Sequence, residues 1–333
     1  MSSKGRRYNR YAEPKLNMKK VLGVIVAILV IIMVIVSIVN VIKNGEDKKK
    51  VKSYSYYTVY ENGKFGVINN EGETVINPEY TEIVLIPNKD VPIFICTYDL
   101  NDQDGTYKTK VINQKNEEIF KEYSKVEAID NFDSKQNIWY EDDVLRVEKD
   151  GKYGLINFEG KEVLPCDYDE ITALKGVTNN LLVKKDGKVG LVNEKGQTIV
   201  NTEYKDIKTL KEGYKNEYII VNDNNQYGII STTGTVIIEP KYEDVKYLNN
   251  SEMFAIKDTG VWKLINKDNQ ILIDGGYDNI IEAKGENVVV EKGGKYGVVT
   301  TKNEEKIPVE YEQIKYTFSI YYIAKTGGKY GII

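Results

Sequence analysis

The chain has no histidine among its 333 residues. That absence removes the side chain most often used as general base, proton shuttle or metal ligand near neutral pH. No Ser-His-Asp or Cys-His catalytic arrangement can be assembled without it. Cysteine occurs only twice, at Cys96 and Cys166. Two residues cannot form a disulfide framework, and neither belongs to a C-x-x-C pair for zinc or redox chemistry. They read as two buried thiols, with one disulfide as the alternative. Alanine is scarce, with five copies after Lys43, whereas tyrosine reaches 26. The best helix former is nearly missing and a good strand former is abundant, which predicts an all-β chain beyond that point. Apolar residues at 41% argue against disorder by composition.

Charge is absent from Val21 to Ile42, "VLGVIVAILVIIMVIVSIVNVI". At about 1.5 Å per residue a helix of this length spans the roughly 30 Å hydrocarbon core of a bilayer. A cleaved signal peptide would have a shorter apolar stretch and a small-residue cleavage site, so an uncleaved single-pass anchor is expected at 21–42. Seven cations precede the span, from Lys4 to Lys20, against five after it, from Lys43 to Lys52. This places the tail 1–20 in the cytoplasm and everything after the linker 43–53 outside it, in the cell envelope. Removing the tail's +6 from the formal −4 leaves −10 for the remainder. An acidic ectodomain argues against nucleic acid as a partner.

From residue 54 onward one sentence is written eight times. Its core is an aromatic–Gly pair followed by two aliphatic residues: Phe65-Gly66-Val67-Ile68, Tyr153-Gly154-Leu155-Ile156, Tyr227-Gly228-Ile229-Ile230, Tyr296-Gly297-Val298-Val299 and Tyr330-Gly331-Ile332-Ile333. Val189-Gly190-Leu191-Val192 is a close variant, and Thr109-Lys110-Val111-Ile112 and Trp262-Lys263-Leu264-Ile265 are degenerate copies. Successive cores lie 44, 44, 36, 38, 35, 34 and 34 residues apart. Asn62-Gly63 and Asp186-Gly187 before the core are tight-hairpin signals, because such turns need positive φ. A second turn ("NNEGE", "NEKGQ") follows each core, then a short apolar run, then Tyr-x-x-Ile/Val. Each unit is therefore three or four strands of about five residues. One unit cannot bury a core alone, so neighbours must stack. The strand glycine is expected where another backbone or ring approaches closely, and the recurrent tyrosines as buried rings rather than as a ligand cup.

These units resemble WG (KWG) repeats, named for a Trp-Gly pair, aliphatic residues and a downstream Pro-x-x-Tyr-Asp-x-Ile. Tyr, Phe or Val mostly stands for the Trp here, and "PEYTEI" and "PKYEDV" keep the proline. The resemblance covers roughly 54–333. It implies a β-rich interaction module common in bacteria and brings no catalytic residues with it. Eight cores leave seven intervals, and the last core closes the sequence at Ile333. The expected architecture is a seven-bladed β-propeller with strands shared between its ends, or an open β-solenoid arc.

No catalytic, cofactor or metal site emerges. "DLNDQDG" at Asp99–Gly105 fails as a calcium loop, since Leu100 falls at the first ligand position and Val111 at the bidentate acid. "EKGGKYG" at Glu291–Gly297 has phosphate-loop glycines but no helix after it. Acidic residues are numerous and scattered over turns, so a carboxylate-dependent hydrolase of envelope polymers is the alternative to a non-enzymatic binding or scaffold protein. Two inserted stretches, Ile86–Tyr107 and Asp130–Asp143, account for the long early intervals, and insertions in repeats often mark the binding face. Phe132, Trp139 and Tyr140 in the second are the candidate anchors for a partner protein or a cell-envelope glycan. The competing reading makes Ile138–Tyr140 an ordinary strand.

Overall fold

The computed structural model describes residues 55–85, 92–101, 103–248, 253–317 and 321–333. The basic tail 1–20, the apolar span 21–42 and the linker 43–53 lie outside the described residues. Among the described residues there is no helix, and hence none long and apolar enough to cross a membrane.

The described residues of the unit Ser55–Ile333 form eight antiparallel sheets in chain order. The third is typical: Lys125–Phe132, Ile138–Lys149, Lys152–Ile156 and Glu162–Tyr168 pair as an up-and-down meander. The fourth (Glu170–Tyr204), fifth (Asp206–Tyr242), sixth (Asp244–Tyr277) and seventh (Asn279–Tyr311) repeat the plan. The second sheet runs from Glu82 to Ile119 and ends in a two-residue fourth strand, Glu118–Ile119. The first sheet (Tyr56–Tyr80) and the eighth (Gln313–Ile332) have three strands each. No described sheet mixes strands from the two ends. The expected count of seven with a shared closing blade is thus corrected to eight separate sheets. The degenerate copies at Lys110 and Trp262 and both end copies hold enough strand-forming sequence to build sheets of their own.

Local chemistry explains the meander. The turn between second and third strands (first and second in the three-stranded first sheet) is a two-residue turn with both residues left-handed: Asn62-Gly63, Asp150-Gly151, Asp186-Gly187, Thr259-Gly260 and Gly293-Gly294 have φ between 49° and 82°. The turn between third and fourth strands is tied by an Asn that closes the third strand. The Asn157 side-chain oxygen accepts from the amides of Glu159 (3.1 Å) and Lys161 (2.8 Å). Asn69, Asn113, Asn193 and Asn266 do the same for their own turns.

The recurrent glycine sits where the fourth strand bulges inward. A β-carbon on Gly154 or Gly190 would lie 2.7 Å from the carbonyl oxygen of Leu164 or Val200, and one on Gly297 2.8 Å from that of Ile307. Pairing skips the glycine and shifts register at the same point. In the sixth sheet Lys263 replaces it, and the fourth strand takes over the permissive backbone, with Gly275 and Gly276 at φ 81° and 91°.

The two aliphatic residues after the glycine point to opposite faces and enter two different cores. Leu155 packs between the third and fourth sheets, with Ile171 and Leu181, while Ile156 packs between the second and third, with Ile95 and Val126. Leu191 and Val192, Ile229 and Ile230, and Leu264 and Ile265 divide in the same way. Seven such cores join the eight sheets, each between consecutive neighbours. A sheet covered on both faces needs aliphatic residues at adjacent positions, hence the doubled aliphatic in every copy. Both cysteines are free thiols in separate cores, and burial pushes the Cys96 thiol up to about 12.

Candidate partner-binding site

The two inserted stretches come together at the second and third sheets. The first contributes the loop after the strand Ile93–Tyr98, in which Asp104 is turned inward on Thr106, accepting from its amide (2.9 Å) and hydroxyl (2.7 Å). The second is not a loop. It lengthens the hairpin of the third sheet, pairing Asp130 with Tyr140, Asn131 with Trp139 and Phe132 with Ile138 beyond a bulge. Ile138–Tyr140 therefore opens the strand Ile138–Lys149, so the ordinary-strand reading of this tripeptide holds.

Strand alternation sends the three aromatic candidates to different places. Tyr140 and Ile138 share one face and line a cavity of about 490 Å³. Trp139 belongs to the opposite face with Glu141, which engages the fourth sheet, and its indole Nε1 is buried without a partner among the described residues. Asn131 and Glu141, both 1% exposed, fasten that face. The Asn131 amide donates to Glu141 (2.9 Å) and to the carbonyls of Val177 (3.1 Å) and Leu174 (3.2 Å), and its oxygen accepts from Gly176. The Asn179 amide donates to Glu141 at 2.6 Å. Burial pushes the Glu141 carboxyl up despite these bonds. Phe132 lies under the Lys175 ammonium, 4.6 Å from its ring centre. Of the three candidates only Tyr140 lines the cavity; Trp139 lies on the face of Asn131 and Glu141, and Phe132, paired with Ile138, meets Lys175 of the fourth sheet instead.

At the cavity's inner wall lies a cluster that no motif in the sequence marks. Glu127, 7% exposed, accepts from Arg146 through Nε (3.0 Å) and Nη2 (2.6 Å), and pairs with Lys125 at 2.8 Å. The Tyr107 hydroxyl, at the end of the first insertion, donates to the same carboxylate. Arg146 also donates to the Ile171 carbonyl at 2.8 Å, bridging to the fourth sheet. Burial alone would raise the Glu127 carboxyl, but Arg146, Lys125 and Tyr107 outweigh it and hold it below the usual carboxylate range. A signal existed in the sequence: Arg146 is the only arginine after Arg10, and a guanidinium among strands that use lysine elsewhere marks a site needing several fixed N–H donors.

The outer wall is different. Leu100 and Ile138 are 47% and 71% exposed, and Glu82 and Asp130 line the cavity without a hydrogen bond or ion pair among the described residues. Burial first, then the charges of Asp130 and Glu82, pushes the Tyr140 phenol up. Among the described residues no cluster of side chains could hold a metal ion.

The fold is that of an all-β repeat protein, a run of small antiparallel sheets packed face to face. The WG containing repeat matches residues 65–88, 153–188, 190–227 and 227–262, so the chain carries repeats of this family in four regions. The second-sheet copy around Lys110 and the copies after 262 lie outside these matches. No curated protein matches the chain. Among solved structures it is similar to a eukaryotic initiation factor (11% identity, 82% of this chain and 79% of that one, TM-score 0.37). It is also similar to the dihydro-heme d1 dehydrogenase NirN (9%, 81% and 68%, TM-score 0.29) and to the AfRom2 CNH domain (8%, 74% and 91%, TM-score 0.27). Likeness this low carries no inference about fold or activity.

Proposed function

We propose that this chain is a binding or scaffold protein of a bacterial cell envelope, held by the span 21–42, with its tail inside and its repeats outside. The sheets follow one another in propeller-like fashion. Support for that finer reading comes from the meander within each sheet, the short link from each fourth strand to the next first strand, and the face-to-face cores. One observation carries the functional reading: the two insertions that break the repeat both line a single cavity, between the second and third sheets. Elsewhere the array follows its own grammar. The partner is a protein or an envelope glycan engaged at Tyr140 and Ile138, exposed apolar surface beside polar groups being the composition of interface anchors. Glu127 favours binding over carboxylate-dependent hydrolysis. A general acid needs a raised carboxyl, and Arg146 holds this one low.

The test is recovery of envelope components on the full-length parent and on Tyr140→Ala. A component retained by the parent and lost by a variant with unchanged melting is the expected result. Equal recovery by both would remove the cavity from the reading.

A further inference from the structure

The cavity's two walls differ in kind, and the difference selects a ligand. On the inner wall the charged groups are engaged with one another: Glu127 is shared by Arg146, Lys125 and Tyr107, two cations on one carboxylate. Each charged group there already has a partner. On the outer wall Glu82 and Asp130 have no partner among the described residues, and both act on the Tyr140 phenol beside them. The exposed aliphatic groups of Leu100 and Ile138 line the same cavity.

We propose, building on the reading of this cavity as the partner site, that it receives a lysine or arginine side chain of a partner protein. The aliphatic stem of such a side chain lies on Ile138 and Leu100 while its cationic head reaches Glu82, Asp130 and the Tyr140 ring. The chemistry argues against the other occupants. An anionic group would meet the carboxylates of Glu82 and Asp130, while the Arg146 guanidinium at the inner wall is already held by Glu127. A neutral sugar could stack on Tyr140 but would leave both carboxylates unused and would be indifferent to salt. The net charge of −10 after residue 42 favours the approach of a basic partner over an acidic one.

The probe is an acetylated, amidated pentapeptide alternating leucine with arginine, compared with the same peptide carrying glutamine for arginine. Binding to the full-length chain is followed by fluorescence anisotropy at low salt. The expected result is saturable binding of the arginine peptide, with loss of at least about tenfold in affinity for the glutamine peptide. Glu82→Gln/Asp130→Asn should lose a similar factor, and affinity for the parent should fall as salt rises. Glu203→Gln/Glu239→Gln removes the same charge from exposed positions on the fourth and fifth sheets and should bind like the parent. If the parent does not bind the arginine peptide, or both double variants weaken it equally, the inference is overturned. Retention of parent affinity by Glu82→Gln/Asp130→Asn overturns it too. The envelope-recovery test with Tyr140→Ala judges the cavity independently. Component loss there, together with indifference to Glu82 and Asp130, would leave the site standing without its cation.

Discussion

A β-carbon at position 154 would have to share space with the Leu164 carbonyl and the Cys166 amide, which lie 2.7 and 2.8 Å from where it would stand. Neither is the movable end of a side chain, so Gly154→Ala must push the fourth strand of its sheet outward. Overpacking of this kind costs about 1–3 kcal/mol. At Gly331 a β-carbon meets nothing within 4 Å, so Gly331→Ala should lie within roughly 0.5 kcal/mol of the parent. Urea denaturation of the two variants reads the difference directly, and equal losses would refute the steric account of the repeat glycine. Glu127 makes a second residue-scale prediction. Its carboxyl is lower in the folded chain than in the unfolded one, where it is about 4.3. The stability it contributes is therefore fully present above that value and is lost as the pH falls through the folded value. Glu127→Gln should lower the melting temperature at pH 7 and flatten its acid-side decline. A parallel decline in both proteins would show that the cluster with Arg146 contributes nothing.

The hairpin that joins the first two strands of the third sheet is the element on which structure and function separate. Its two faces alternate residue by residue, so neighbouring aromatic side chains do different work. Trp139→Ala removes a half-buried ring from the face held by Asn131 and Glu141, and should destabilise by about 1–3 kcal/mol. Tyr140→Ala opens the cavity wall and should leave melting within a few degrees of the parent while abolishing partner recovery. Thermal melts of the two single variants separate these outcomes, whereas a double variant would confound them. Comparable destabilisation by both would mean that the cavity wall is simply more core. The hairpin tip is tied further along the array, since Ser134 donates to Glu212 of the fifth sheet's first connection (3.0 Å from its hydroxyl). The insertion thus works as a strap across three sheets as well as a wall.

Across the whole array, seven cores serve eight sheets, each core shared by two neighbours. Stability in such a chain of interfaces is a sum of nearest-neighbour contributions. Deleting Tyr321–Ile333 strips Tyr322 and Ala324 from the last core, which also holds Val289, Val298 and Ile314. Hydrogen exchange should then accelerate in Asn279–Tyr316 while amides of the first five sheets keep their protection. Loss of protection throughout would instead reveal a ring closed between its ends. Orientation is tested at the same scale: protease added to intact cells should remove the repeats, and survival until lysis would reverse the proposed topology.

The repeat, its eight cores, its tight turns and its all-β character were legible in the sequence because each rests on local rules. Asp-Gly needs positive φ, tyrosine and valine suit a pleated strand, and a doubled aliphatic suits a sheet covered on both faces. The glycine's steric role was legible for the same reason. What tertiary structure alone decided is how those strands are grouped and what they bring together. The sequence unit begins at the strand before the glycine, whereas the sheet begins one strand earlier, at Tyr-x-x-Ile. Strands pair with their neighbours in chain order, but which of them share a sheet is decided by the ladder, which offsets each sheet from the sequence unit by one strand. Phe132, Trp139 and Tyr140 looked alike as exposed aromatic side chains in an insertion. Only the extended hairpin, with its period of two, placed Tyr140 at the cavity and Trp139 on the face of Asn131 and Glu141. The cluster of Tyr107, Glu127 and Arg146 spans 39 residues of sequence, and charge pairs at that separation leave no local pattern. The fold had to bring them within hydrogen-bonding distance before they could be seen as one wall of a site.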